Sequence, residues 1–282
     1  HKGDYLDMEL QIVSDLHLES PKAYDFYEIK PSASNLALLG DIGCVCDPDY
    51  LTFLTTQLAQ FRIVFHLLGN HEPYGSTWDA TIKTLRSFQE QNRQERARSP
   101  GSSGVGEYVL LDRDEHHLPS HNLTVLGCTL FSDVPARSTA DVSFGLNDFF
   151  RIGGGWTVEQ HVRAHRRDVA WLNARVAAIA REHPARRVVV LTHHSPTVDA
   201  RTVNLRFAGS KISSGFATDL SGEGCWGSGN VVLWAFGHTH YNFGRFRDER
   251  TGKVVYSNQR GYYFAQAAGF VEDDVVNLEA LL

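Results

Sequence analysis

Five stretches of this 282-residue chain carry an apolar, strand-like run straight into side chains that bind metals. Leu10-Gln11-Ile12-Val13-Ser14 runs into Asp15-Leu16-His17, and Leu36-Ala37-Leu38-Leu39 into Gly40-Asp41. Ile63-Val64-Phe65-His66-Leu67-Leu68 runs into Gly69-Asn70-His71-Glu72, and Val188-Val189-Val190-Leu191-Thr192 into His193-His194. Val231-Val232-Leu233-Trp234-Ala235-Phe236 runs into Gly237-His238-Thr239-His240. Strands of one sheet deliver their ends to one crevice, so five such junctions converge on a single site.

Between the junctions the pattern is helical. Pro48 precedes a run with Leu51, Leu54 and Leu58 at helical spacing, and Trp78, Ile82, Leu85 and Phe88 mark a second helix after Gly75-Ser76-Thr77. The charged stretch 92–106, with its Ser-Pro-Gly-Ser-Ser-Gly end, reads as an exposed, mobile loop. Tyr108-Val109-Leu110-Leu111 and Leu123-Thr124-Val125-Leu126-Gly127 read as further strands. Thr157 with Gln160 forms a capping box for a long helix whose buried stripe is Val162, Val169, Leu172, Val176 and Ile179. The interval 199–230 is rich in Ser and Gly and has weak periodicity, the mark of a functional loop. Strand patterns return at Val254-Val255-Tyr256, Gly269-Phe270-Val271 and Val275-Val276-Asn277-Leu278. The whole reads as a layered α/β domain, residues 8–282, whose late strands are antiparallel. Residues 1–7 differ in character from the rest of the chain and read as an N-terminal addition or a disordered lead, with Met8 as the native start.

A hydrophobic share of 42% supplies a large core, and a net charge of -6 disfavours broad, stable binding to nucleic acid. No apolar run is long enough to span a membrane. Four cysteines do not make a disulfide scaffold, and Cys44-Val45-Cys46 lacks the second pair of a zinc knuckle. A cytoplasmic location is the expectation; oligomeric state has no signature in the chain.

Asp15, Asp41, His17, His193, His238, His240 and Asn70 offer two carboxylates, four imidazoles and one amide oxygen. This mixture suits Mn, Fe, Zn or Ni and is too nitrogen-rich for Ca or Mg. Seven donors exceed the needs of one ion and fit two divalent ions if one carboxylate bridges. Such a pair attracts phosphate and lowers the pKa of coordinated water to roughly 7.

Asp15-x-His17, Gly40-Asp41, Gly69-Asn70-His71-Glu72, His193 and Gly237-His238-x-His240 together resemble the ordered signature of the calcineurin-like metallophosphoesterases. Gly127-Cys128-Thr129-Leu130, Asn147-Asp148-Phe149, Thr192-His193-His194-Ser195-Pro196 and Ser257-Asn258-Gln259-Arg260-Gly261-Tyr262 resemble a broad subgroup of that family. The resemblance implies a four-layer α/β/β/α sandwich of two mixed sheets flanked by helices, with the site at the strand ends. It implies that Asp15, His17, Asp41 and His240 hold one metal and that Asn70, His193 and His238 complete the second, with Asp41 bridging. It further implies that His71, a non-ligand, protonates the leaving oxygen or stabilises the transition state, while a bridging hydroxide attacks phosphorus in line. In the His193-His194 pair the family pattern makes the first the ligand.

Outside the signature the readings divide. His194, Tyr74 and Arg260 join Asn70 and His71 as candidates to touch substrate; packing or a plain turn is the competing reading for the first three. Tyr262, Asn147, Asp148 and Arg151 are further candidates. His161 and His165 lie four apart on one helix face but lack the His-Glu-x-x-His form, so packing is expected. His116, His117 and His121 read as a polar surface loop. Protein Ser/Thr phosphatases of the family continue Gly-Asp with Asp-Arg-Gly; here Ile42-Gly43-Cys44 comes next, which argues against that activity. The expected function is a dinuclear phosphohydrolase acting on small phosphoesters, phosphodiesters and nucleotides ahead of monoesters. The alternatives are a phosphomonoesterase or protein phosphatase, and a metal-binding pseudo-enzyme that serves as a protein-interaction module. Specificity is expected from 199–230 and from 92–106.

Overall fold

The computed structural model describes residues 8–99 and 104–281; the reading of residues 1–7 lies outside the described residues. In chain order the first elements are β1 (Glu9–Val13), β2 (Asn35–Leu38), α1 (Tyr50–Leu58), β3 (Ile63–His66), α2 (Trp78–Arg98) and β4 (Glu107–Leu110). Then come β5 (Asp114–Leu118), β6 (Leu123–Cys128), α3 (Thr139–Gly145), α4 (Asp148–Arg151), α5 (Val158–Glu182) and β7 (Arg187–Thr192). The last are α6 (Gly224–Gly227), β8 (Val231–Phe236), β9 (Arg245–Arg247), β10 (Val254–Ser257), β11 (Gly261–Tyr262), β12 (Ala265–Gln266) and β13 (Val275–Asn277).

Two mixed sheets form, in the orders β13-β1-β2-β3-β4 and β5-β6-β7-β8-β10-β9. β1 to β4 are mutually parallel with β13 antiparallel at the edge. β6, β7, β8 and β10 are likewise parallel, with β5 and β9 as antiparallel edges.

Strand alternation sorts the side chains into layers. Leu10 and Ile12 of β1, Phe65 of β3, Val125 of β6, Val189 of β7 and Leu233 of β8 meet between the sheets. Val13, Leu36, Leu38 and Val64 face the other way, onto Tyr50, Phe53, Leu54 and Leu58 of α1 and Leu85 of α2. Leu126, Val190, Trp234 and Val255 of the second sheet take Val169, Leu172, Val176 and Ile179 of α5. The order of layers is therefore α/β/β/α, with each fully buried aliphatic side chain contributing about 1.5–3 kcal/mol. The capping box that opens α5 is present, Gln160 N donating to Thr157 Oγ1 and Thr157 N to Gln160 Oε1.

The structure departs from four sequence expectations. α2 does not dissolve at residue 92 but runs on to Arg98. Asn92 is buried there, donating to the Gly106 carbonyl at 3.0 Å and accepting from Tyr108 N at 2.9 Å. The polar run Asp114–Leu118 is not a loop but β5, a half-exposed edge strand whose charges suit an unpaired edge. β10 is not antiparallel to its neighbour β8, as the late strand pattern suggests, but parallel to it. Residues 269–271 do not form a strand; Val271 N donates to the Asn258 side chain instead.

Candidate metal centre

The parallel strands of both sheets point their C-terminal ends the same way. The chain turns sharply there, and Asp15, His17, Asp41, His238 and His240 all take positive φ, between 49° and 70°. A left-handed backbone costs a residue with a Cβ roughly 1–2 kcal/mol, and such residues gather at functional sites. Here five of the seven expected ligands carry it. Gly40 makes the approach possible: its φ is 86°, and a Cβ there would stand 2.7 Å from Gly69 Cα and from His193 Nδ1.

All seven expected ligands converge. His240 Nε2 lies 3.1 Å from Asp15 Oδ1 and 3.0 Å from His17 Nε2. His193 Nε2 lies 3.1 Å from Asn70 Oδ1 and 3.5 Å from Asp41 Oδ2. That same Asp41 oxygen is 3.6 Å from His17 Nε2. Among the described residues three donor groups result: Asp15 with His17 and His240, His17 with Asp41 and His71, and Asp41 with His193 and His238. Asp41 belongs to two of them. Mixed imidazole and carboxylate donors aimed at common points suit first-row divalent ions.

Several of the expected ligands are held by further hydrogen bonds. His193 Nδ1 bonds the Leu39 carbonyl at 2.7 Å, and His17 Nδ1 meets Glu19 Oε1 at 3.0 Å. Asp15 Oδ2 accepts from Ser14 Oγ and His238 N, and Gln259 Oε1 accepts from His240 N at 2.6 Å. Such supports fix ring orientation and tune donor strength. Glu72, completely buried, accepts from Asp41 N at 2.8 Å, Gly69 N at 2.7 Å and Ile42 N at 2.9 Å, clasping the two ligand-bearing turns together.

His71 shares a donor group with His17 and Asp41, although the sequence expectation makes it a non-ligand. Its Nε2 is 3.9 Å from Asp41 Oδ2, and its Nδ1 is 2.7 Å from Glu19 Oε1. Tyr74 stacks on the ring with centroids 4.2 Å apart, and Tyr262 Oη approaches Nε2 at 3.4 Å. Burial opposes protonation of His71, but the Asp41 charge and the Glu19 hydrogen bond outweigh it and raise its pKa. Burial would raise the Glu19 carboxyl, yet hydrogen bonds from His17 and His71 bring it down to about 2. Against the same desolvation, the carboxylates raise His17 to about 10 and His193 to about 9.

A cavity of about 630 Å³ opens beside this cluster and includes Asn70, His71, Tyr74, Asn147, Asp148, His238, His240 and Tyr262 in its wall. Residues between Thr202 and Ala217 supply much of the rest, so the loop 199–230 does reach the site. No described residue of 92–106 does. Asp148 Oδ1 accepts from Asn70 Nδ2 at 2.7 Å and from Tyr74 Oη at 2.5 Å, steadying an expected ligand and a cavity wall at once.

Two expected substrate contacts are placed elsewhere. Arg260 donates to the Leu16 carbonyl at 3.0 Å and lies over the Tyr27 ring, outside the cavity wall. His194 is buried between His193, His238, His161 and Phe131, with Nδ1 3.2 Å from the Thr129 carbonyl. Arg151 lies over Tyr74 rather than in the cavity. His161 and His165 are packed, bonding Ser132 and the Leu130 carbonyl. Cys44 is buried and Cys46 exposed, both free. Glu19 is the residue that pattern reading overlooked; its only signal was its place two residues beyond His17. Among the described residues no helix is long and apolar enough to cross a membrane.

Comparison with known proteins supplies a family and a fold. The model of the family described as calcineurin-like phosphoesterase matches residues 8–242. An uncharacterized protein of Acanthamoeba polyphaga mimivirus is 23% identical over 275 residues, covering 90% of this chain and 91% of its own. The crystal structure of a phosphopantetheinyl hydrolase from Mycobacterium tuberculosis superposes with a TM-score of 0.63 at 18% identity, over 90% of this chain and 89% of that one.

Proposed function

The chain belongs to the calcineurin-like phosphoesterase family, and from that premise we propose that it hydrolyses small phosphoesters, diesters ahead of monoesters, at a centre of two divalent cations. One cation would be held by Asp15, His17, Asp41 and His240, the other by Asp41, Asn70, His193 and His238. The observation that carries this is the position of Asp41 Oδ2, 3.6 Å from His17 Nε2 on one side and 3.5 Å from His193 Nε2 on the other. Bound cations of this kind polarise a phosphoryl oxygen and lower the pKa of coordinated water toward neutrality.

The protein's own groups supply the remainder. His71, its Nδ1 held by Glu19 and its ring stacked on Tyr74, keeps Nε2 turned toward Asp41 and delivers a proton to the departing oxygen. Asp148 keeps the Asn70 amide oxygen facing inward by accepting from its nitrogen. The fold shared with a phosphopantetheinyl hydrolase supports a small organic phosphoester as substrate.

The test is turnover of bis-p-nitrophenyl phosphate and p-nitrophenyl phosphate by protein loaded with Mn. Faster cleavage of the diester is expected. Cleavage of neither by protein shown to contain metal overturns the reading. His71→Asn separates catalysis from mere metal binding, because an enzyme loses rate at unchanged metal content.

A further inference from the structure

We infer that the cavity beside the metal centre takes an uncharged, largely apolar ester arm, so that the substrate is a phosphoester of a neutral organic alcohol and not a nucleoside polyphosphate. This rests on the reading that the chain is a phosphoesterase. The far wall is apolar: Leu146, Val203, Phe207, Ile212, Phe216 and Tyr241 line it. The wall is tightly built, for a Cβ on Gly145 would stand 2.7 Å from Ile212 Cγ2, and one on Gly215 would stand 2.9 Å from Leu146 Cδ2. It also reaches the proposed ligands directly. Phe216 stacks on His238 with centroids 4.6 Å apart and planes at 20°.

Charge sharpens the choice. Among the described residues no lysine or arginine lines the cavity, and its two carboxylates, Asp41 and Asp148, sit at the metal end. Arg206 and Lys211 of the same loop are exposed and outside the wall. A second phosphate carried into this space would lose its water and find no cation, a cost that the apolar wall cannot offset. Away from the metal end the polar side chains of the wall, Asn147, Thr202, Asn204 and Ser210 among them, are uncharged. At about 630 Å³ the space matches the pockets that enclose a small organic ligand. Phe207, 59% exposed, stands in its wall as a surface that an apolar arm would cover.

The test compares p-nitrophenyl phosphodiesters whose second arm is methyl, butyl, octyl or 5′-thymidyl, with ATP as the polyphosphate. The expectation is that kcat/KM rises about 10-fold or more from methyl to octyl and that ATP is the poorest substrate. Phe207→Ser and Ile212→Asn should lower kcat/KM for the octyl ester several-fold more than for the methyl ester. Ile212→Lys should shift preference toward ATP. Binding of N-phenyl-1-naphthylamine, an uncharged fluorescent probe, reads the cavity without turnover and should weaken in Ile212→Asn. Diester turnover with no gain along the series, or with ATP cleaved as well as the octyl ester, overturns the inference alone. Absence of all turnover by metal-loaded protein with probe binding intact overturns the phosphoesterase reading and leaves the cavity's ligand class standing. Absence of probe binding in the parent protein overturns the cavity assignment.

Discussion

Glu19 Oε1 lies 2.7 Å from Nδ1 of His71, and the same oxygen lies 3.0 Å from Nδ1 of His17. One carboxylate therefore orients a proposed proton donor and a proposed metal ligand together. Glu19→Gln keeps the shape but removes a charged hydrogen-bond acceptor that, after the Asp41 charge, helps to hold a proton on His71. The expected result is a fall in kcat of about 10- to 100-fold on alkyl esters. The fall should be smaller on p-nitrophenyl esters, whose leaving group departs as a stable anion. Equal losses on both would show that Glu19 acts through metal binding, which analysis of metal content would confirm.

The carboxylates that raise His17 to about 10 and His193 to about 9 keep protons on nitrogens that the proposed cations would use. Metal uptake should therefore release protons near neutral pH, and affinity should climb as pH rises toward those values. Calorimetry of Mn binding in buffers of differing ionisation enthalpy measures the release. A heat independent of buffer would contradict it.

Glu72→Ala should leave the backbone N–H groups of Asp41, Ile42 and Gly69 without their buried acceptor. A buried donor left unmet costs about 1–3 kcal/mol, so a loss of roughly 3 kcal/mol or more is expected, with weaker metal retention because both ligand-bearing turns loosen. Thermal melts followed by circular dichroism and metal analysis check both outcomes.

Acid should destabilise the fold through buried rings that are not among the expected metal ligands. Burial pushes His66 down to about 3, its two nitrogens facing Tyr50 Oη and Tyr108 Oη at 2.7 Å each. His161, bonded to Ser132, is likewise pushed to about 3. A folded pKa below the unfolded 6.5 gives stability that is complete above 6.5 and drains as pH falls toward 3, by roughly 1.4 kcal/mol per pH unit for each ring. Burial holds Glu72 up at about 7, and it works in the opposite sense between its unfolded 4.5 and 7. The difference between His66→Gln and the parent protein in denaturant titrations from pH 6.5 to 3 isolates the ring. Parallel pH profiles for the two proteins would refute its role.

The expected ligands were legible because each comes after a run of strand character, and parallel strands have nowhere to send their ends but one crevice. The capping box at Thr157 and the stripe of α5 were legible because they are local. What sequence could not convey was reach across space. Arg260 carries the charge to grip phosphate, but a carbonyl and the Tyr27 ring claim it. Glu19 matters only because His71, 52 residues away, folds back onto it. α2 outruns its apolar pattern because Asn92, polar in sequence, satisfies the backbone of Gly106 and Tyr108 in the interior.

Asp15 and His240 meet across 225 residues, and β1 takes β13 as a neighbour, Gln11 opposite Val275. Loop closure of that span must precede any benefit from the contact, so folding is expected to be slow and dominated by non-local pairing. During synthesis, when domains fold as their last strands emerge, the first sheet waits with β1 unpaired on one edge. Metal capture at the proposed centre would consequently be a late event, and a chain halted before residue 240 would present the early donors without the partner that closes the first donor group.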